Sequence, residues 1–355
     1  MDTLDRIGTG LWAELRLLSL EGPQAGLALR TAIAGVLSVL AAMMLHLENP
    51  YWAGITAVSI LQRDSAATLT RSVDRAFGTI AGATLGYVGA VFVDVHGVFL
   101  LICGGAVALA IYGQDRIEHG YALLLAAVTV LLVMFGAMSA PEQAFDVAFY
   151  RAAEILVGVI ATYGVDYALG PPGERVKGAP KPGLFAPPLD RAQLAIALTA
   201  GLATAAIPVI WDGLQLPGLG QTPVTAFVIV IAMRREPVLT GVNRLLGCVM
   251  GGCYGLACMR LVGDSFVPWL VLLFVGLFFS AHIKHGTGDA SYSGHQAAIA
   301  LLMSMVQGLA PSADILPAID RLIGIVGGIL VVVSAQALVA PIIEDLLERL
   351  LGPER

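Results

Sequence analysis

Arginine inside an apolar run is the residue in this chain that most needs a reason. Arg75, Arg151, Arg244 and Arg321 each stand close to the start of such a run, behind Asp74, Tyr150, Asn243 and Asp320. A guanidinium fork matches a carboxylate. It costs on the order of 2.5 to 3.5 kcal/mol at the middle of a membrane helix, and much less where it can snorkel to the headgroups. Arg75 and Arg244 are therefore read either as snorkelling anchors or as anion ligands. Arg151 and Arg321 either pair with Asp146, Glu154 or Asp320 or line an anion path, where a helix N-terminus would add attraction for a carboxylate.

Other polar groups gather near these arginines in the sequence. Gln62-Arg63-Asp64 and Arg234-Arg235-Glu236 sit at matching places in the two halves of the chain, and read as cytoplasmic loop charges or as a basic vestibule around Arg63, Arg75, Arg235 and Arg244. Tyr51 and Trp52 follow Pro50, so Trp52 is either a belt residue at the membrane interface or a stacking surface for an aromatic substrate. Thr56, one turn on, can supply a hydroxyl. His295, beside Gln296, and Glu154 are the candidates for proton coupling, since imidazole titrates near neutrality. His119, His282, His285 and His295 with Asp115 and Asp289 show no zinc spacing, so no metal is expected. Cys248, Cys253 and Cys258 recur every five residues and Cys103 stands alone, which suits small packing residues and no disulfide. No nucleophile and base spacing and no phosphate loop is present, so neither an enzyme nor a cofactor is expected. A net charge of −6 gives no reason to expect nucleic acid as a partner.

What must position these groups is a set of membrane helices. The chain is 57% hydrophobic and 13% charged, too few charges to clothe a water-facing surface. Windows of about 20 residues, the length that crosses a bilayer, give about twelve spans. They are 26–46, 50–62, 73–93, 97–113, 119–138, 148–169, 191–211, 222–233, 240–262, 266–283, 293–310 and 318–340. The second and eighth are short, a pattern that marks transport sites when it recurs in two halves. Residues 1–22 are too charged for a cleavable signal and read as an interfacial amphipathic helix with Leu4, Ile7, Leu11, Leu15 and Leu18 on one face. Residues 341–355 read as a second such helix. With both termini in the cytoplasm, one face collects every lysine and arginine except Arg151, Arg260 and Arg321, as the positive-inside bias requires.

The runs repeat. Asp74-Arg75 with Gly78, Gly82 and Gly86 matches Asn243-Arg244 with Gly247, Gly251 and Gly255 at identical spacing, on either side of a proline-rich linker at 170–189. Asp320-Arg321 with Gly324 and Gly328, and Tyr150-Arg151 with Gly158, repeat the pattern at the sixth and twelfth spans. Glycines four apart let a neighbouring helix approach closely. The expectation is an all-α polytopic membrane protein of about twelve helices. It comprises six-helix repeats at 23–169 and 190–340, each made of two inverted three-helix units.

The stretch from Tyr51-Trp52-Ala53 and Thr56 through Gln62-Arg63, Thr68, Arg71 and Asp74-Arg75 to Gly78-Thr79 and Gly82 resembles the signature of the fusaric acid resistance and aromatic acid exporter superfamily. A weaker second copy extends the resemblance over about residues 26–340. It implies a bacterial inner-membrane exporter of aromatic or related organic carboxylates, driven by the proton gradient. It also implies action as a fused dimer in one chain or as a homo-oligomer, and a periplasmic adaptor as a possible partner. Family members with longer chains carry a cytoplasmic domain after each six-span block; here the break is about twenty residues, which weakens the adaptor and any regulation by those domains. A passive organic-anion channel and an envelope-assembly protein are the alternatives.

Overall fold

The computed structural model describes residues 3–16, 22–93, 95–171, 183–184, 190–214, 226, 237–263, 265–308 and 316–351. In chain order its α-helices are α1 (Thr3–Arg16), α2 (Pro23–Met44), α3 (Tyr51–Ile60), α4 (Ser65–Phe92), α5 (His96–Gly113), α6 (Gly120–Ser139) and α7 (Ala144–Leu169). After the linker come α8 (Arg191–Leu214), α9 (Pro237–Val262), α10 (Phe266–Lys284), α11 (Ser291–Met305), α12 (Leu316–Leu338) and α13 (Ala340–Leu351). Eleven of the apolar runs are thus helices, whereas 222–233 lies outside the described residues apart from Ala226, as does most of 170–189. Among the described residues six helices, α2, α5, α6, α8, α9 and α10, are long and apolar enough to cross a membrane, or seven if α12 and α13, bent by 45°, make one span. Helices α4 and α7 have the length, at 28 and 26 residues, but carry charges inside it.

Local chemistry sets the ends. Pro23 opens α2 at its first turn, where a missing N–H costs nothing, and Gly22 takes φ 99° just ahead of it. Pro50 opens α3. Its ten residues rise about 15 Å, half of a bilayer core. Gln62 then turns back, its side-chain amide donating to the Ile60 and Leu61 carbonyls that the helix end leaves open.

The described chain forms two compact units. One holds residues 1–76, 150–176 and 238–322, the other 77–149, 177–237 and 323–355. In the first, α2 packs on α3 and α10, and α11 packs on α10 and α3. Ala28, Ala32 and Val36, with Trp269, Leu273, Leu277, Leu301 and Leu302, form its apolar core. The indole of Trp269 donates to the Met305 carbonyl at 2.8 Å, which satisfies the one polar atom of that ring. In the second unit α5 packs on α8 and α6, and α13 lies on α8. Gly104 and Gly201 meet so closely that a Cβ on either would strike the other's carbonyl oxygen at 2.6 or 2.5 Å.

The spaced glycines do what their spacing promises. Along α4, a Cβ at Gly78 or Gly82 would strike the Ala122 or Ala126 carbonyl oxygen of α6, and one at Gly86 would meet Val133 at 2.9 Å. Along α9, Gly247 and Gly251 press in the same way on the Ser293 and Ala297 carbonyls of α11, and Gly255 on Ser304 at 2.7 Å. On α7, Gly158 presses on the Ala53 carbonyl of α3 at 2.5 Å. The three contacts bring helix backbones together without side chains between them.

Outside these cores, α1 is docked rather than loose: Ile7 is buried, Gly10 lies 3.5 Å from Ala290, and Arg6 pairs with Asp289 at 2.9 Å. Trp12 stays exposed beneath the Arg16 guanidinium, 5.0 Å from its ring centre, as an interfacial anchor would. The four cysteines are free thiols, and Cys253 is exposed rather than packed.

Candidate functional site

The arginines do not open their helices as the apolar runs suggest. Helices α4, α7 and α9 start at Ser65, Ala144 and Pro237, so Arg75, Arg151 and Arg244 lie two to three turns inside. In α4 the extra turns, Ser65–Arg71, are polar and escape a hydropathy window. The N-terminal amide attraction expected for Arg151 is lost with that position. All three side chains are buried, which rules out simple snorkelling.

Arg151 lies over the indole of Trp52, 3.4 Å from the ring centre. Its Nε and Nη1 are buried without a hydrogen-bond partner. Gly158 explains the geometry. Because that residue lets α7 ride on the α3 backbone at Ala53 and Thr56, the side chains two turns earlier reach Trp52. Arg75 comes from α4 to donate to the Thr56 hydroxyl at 3.1 Å, while that hydroxyl donates to the Trp52 carbonyl at 2.9 Å. Glu154 accepts from the Asn49 backbone N–H at 2.7 Å. Two guanidinium groups, one carboxyl group and an indole are thereby gathered at the start of α3.

The same face of α7 continues as a buried polar stripe. Arg151, Glu154, Gly158, Thr162 and Asp166 recur at three or four residues, one helical face, and all are buried. The stripe is about 22 Å long at 1.5 Å per residue. Thr162 donates to the Gly158 carbonyl at 2.5 Å. At its far end Asp166 Oδ1 accepts from Arg30 Nη1 at 2.7 Å, and Arg30 Nη2 donates to the Arg63 carbonyl at 3.3 Å.

Beside that pair opens a cavity of about 700 Å³ lined by Arg30, Arg63, Gln24, His285 and Thr287 among apolar groups that include Leu27 and Leu169. His285 shares a 3.0 Å hydrogen bond with Thr31. Burial first, then the neighbouring Lys284, hold its imidazole far below its usual pKa, so it is neutral. Lys284 donates to the Val58 carbonyl of α3.

The residues singled out by sequence divide accordingly. Trp52, Thr56, Arg75, Arg151 and Glu154 come together, and Arg63 lines the cavity, in company with Arg30. Gln62 serves the end of α3. Arg244 donates to the Tyr292 hydroxyl at 3.2 Å, with the His295 ring 6.3 Å from that of Tyr292, so those two belong to a cluster of α9 and α11. Arg235 lies outside the described residues, and Arg321 is described only as part of α12. Sequence reasoning missed Arg30, Thr162, Asp166 and Lys284, and passed over His285 in favour of His295. The helical spacing from Arg151 to Asp166 is the signal that could have found two of them.

Residues 24–180 match the fusaric acid resistance protein family. A 142-residue stretch is 29% identical to the "Uncharacterized transporter YdhK" of Escherichia coli K12, covering 38% of this chain and 21% of that protein. A 162-residue stretch is 25% identical to the "p-hydroxybenzoic acid efflux pump subunit AaeB" of Musicola paradisiaca, covering 42% of this chain and 25% of that one. No solved structure matches the chain. The aligned stretches thus span a quarter or less of these relatives' length. The matched residues 24–180 hold Arg30, Trp52, Thr56, Arg75 and the whole polar stripe of α7.

Proposed function

We propose that the chain exports aromatic carboxylates of the hydroxybenzoate type across the inner membrane of a bacterium. The observation that carries this reading is Arg151, buried over Trp52 with two donor nitrogens unmet. A buried guanidinium without an acceptor is costly, and an arriving carboxylate supplies what it lacks. Trp52 offers an aromatic substrate a π-face. Arg75, held by Thr56, adds positive charge at the same place. Charged residues inside membrane helices mark substrate pathways, and the α7 stripe would lead from the Arg30 cavity to Trp52. The p-hydroxybenzoate named for one relative fits such a site.

The architecture in this reading is two six-helix repeats, each of two inverted three-helix units, with both termini and the linker in the cytoplasm. The glycine contacts support it. In the first half the third helix, α4, rests on the fifth, α6, and the sixth, α7, rests on the second, α3. Inversion of a three-helix unit relates these contacts to each other. In the second half α9 rests on α11 as α4 rests on α6. The chain would then serve as a dimer fused into one polypeptide, with His295 and Glu154 as groups available for proton coupling and a periplasmic adaptor as a partner to be sought.

Vesicles loaded with 4-hydroxybenzoate test the proposal. Wild type should release it faster than Arg151→Gln or Trp52→Leu by at least tenfold, and equal release from all three would refute the site. A passive channel is the second reading, favoured by the wide cavity at the Arg30 end of the stripe. Anion currents that persist with no proton gradient would select it.

A further inference from the structure

We infer that Asp166 is an internal carboxylate that holds the Arg30 site until an organic anion from the cavity displaces it, and that the exchange adds one proton to Asp166. This inference rests on the transport reading above but concerns a different pair of residues. Arg30 is the only cation that an arriving anion meets already engaged by a carboxylate among the described residues lining the cavity. Its Nη1 is given to Asp166 and its Nη2 to the Arg63 carbonyl. A substrate carboxylate that takes the Nη1 N–H now given to Asp166 evicts Asp166 Oδ1.

Eviction is not neutral. Asp166 has no exposed side-chain surface, so its carboxylate, once parted from Arg30, would be a buried charge with no counter-ion. A proton is the remedy. The second oxygen, Oδ2, is buried with no hydrogen-bond partner, and it is the atom on which the O–H bond forms, with water in the cavity delivering the proton. The pair Arg30 and Asp166 is then replaced by the pair Arg30 and substrate, and the local charge is unchanged. The other groups around the exchange are Ser65 at the start of α4, whose hydroxyl lies beside Asp166 at Gly170, the Arg63 and Arg71 side chains, and Lys284 and His285 at the end of α10. The cations attract the incoming anion. None of them offers a carboxylate to replace Asp166.

The test is calorimetric binding of 4-hydroxybenzoate to the purified full-length protein in buffers of different ionisation enthalpy, which counts protons. Wild type should take up about one proton per bound ligand, with affinity falling about tenfold for each unit rise in pH. Asp166→Asn should bind with no proton uptake and a flat pH profile. Binding by wild type without proton uptake, or uptake that persists in Asp166→Asn, overturns this inference alone. Failure of wild type to bind at any pH sinks the transport reading and this inference with it.

Discussion

Arg30 and Asp166 are unequal in what their loss does, because only one of them has a cavity to look into. Arg30→Met strands a wholly buried carboxylate and should lower stability by about 3 to 5 kcal/mol, seen as early unfolding in detergent melts. Arg30→Met with Asp166→Leu should recover most of that loss, since well-packed apolar groups replace buried ion pairs at little cost. Arg151 is expected to behave in the opposite way. With two donors already unmet, Arg151→Met should melt no earlier than wild type while losing 4-hydroxybenzoate binding, the mark of a residue kept for function rather than for stability. At this scale the sequence was readable where residue type and place were both unusual, as for Trp52, Arg75, Arg151 and Glu154. Arg30 was hidden among the cytoplasmic positive charges, and Asp166 sits as a lone polar residue in an apolar run whose meaning depends on which helix lies opposite.

Helix α9 offers a test of close packing in two adjacent positions. Gly251 presses on the Ala297 carbonyl, whereas Gly252 has nothing within 4 Å. Gly251→Ala should therefore force α9 from α11 and lower the melting temperature, whereas Gly252→Ala should leave it unchanged or raise it slightly, by the roughly 0.5 to 1 kcal/mol that alanine gains over glycine in a helix. Equal melting of the two variants would count against the backbone contact. The period of four was plain in the sequence, and so was the existence of eleven of the spans, because a helix that buries its backbone polar groups in lipid must announce itself by hydropathy. Helix starts were not. Polar first turns such as Ser65–Arg71 look like loops to a hydropathy window, and that error placed Arg75 at the start of its helix when it lies well inside.

Each compact unit draws helices from both halves of the chain. The first takes α2, α3 and α7 from before the linker and α9, α10 and α11 from after it; the second takes most of α4, α5 and α6 from before and α8, α12 and α13 from after. By the 169-residue offset between Arg75 and Arg244, α4, α5 and α6 correspond to α9, α10 and α11 of the first unit, and α2 and α7 to α8 and α12 of the second. Nothing local in a sequence reports such an exchange, since the repeat is equally compatible with two self-contained bundles. Residues 1–180 expressed alone should consequently fail to persist as a monomer, and co-expression with 181–355 should restore a single species on size exclusion. A well-behaved monomeric half would contradict the exchange.

The ordering of the chain has a consequence for how the protein is made. When the ribosome reaches the linker, α2 has its ion pair between Arg30 and Asp166 but not α10, on which its apolar core closes. Residues up to Leu322 must follow before the first unit is whole. At 5 to 20 residues per second, that is a wait of about 7 to 28 s in the bilayer with small-residue faces open to any other helix. That order leaves the α2 face that packs on α10 unfilled until α10 is made. It also gives the buried pair at Arg30 an earlier task, which is to hold α2 and α7 together until the rest of the unit arrives.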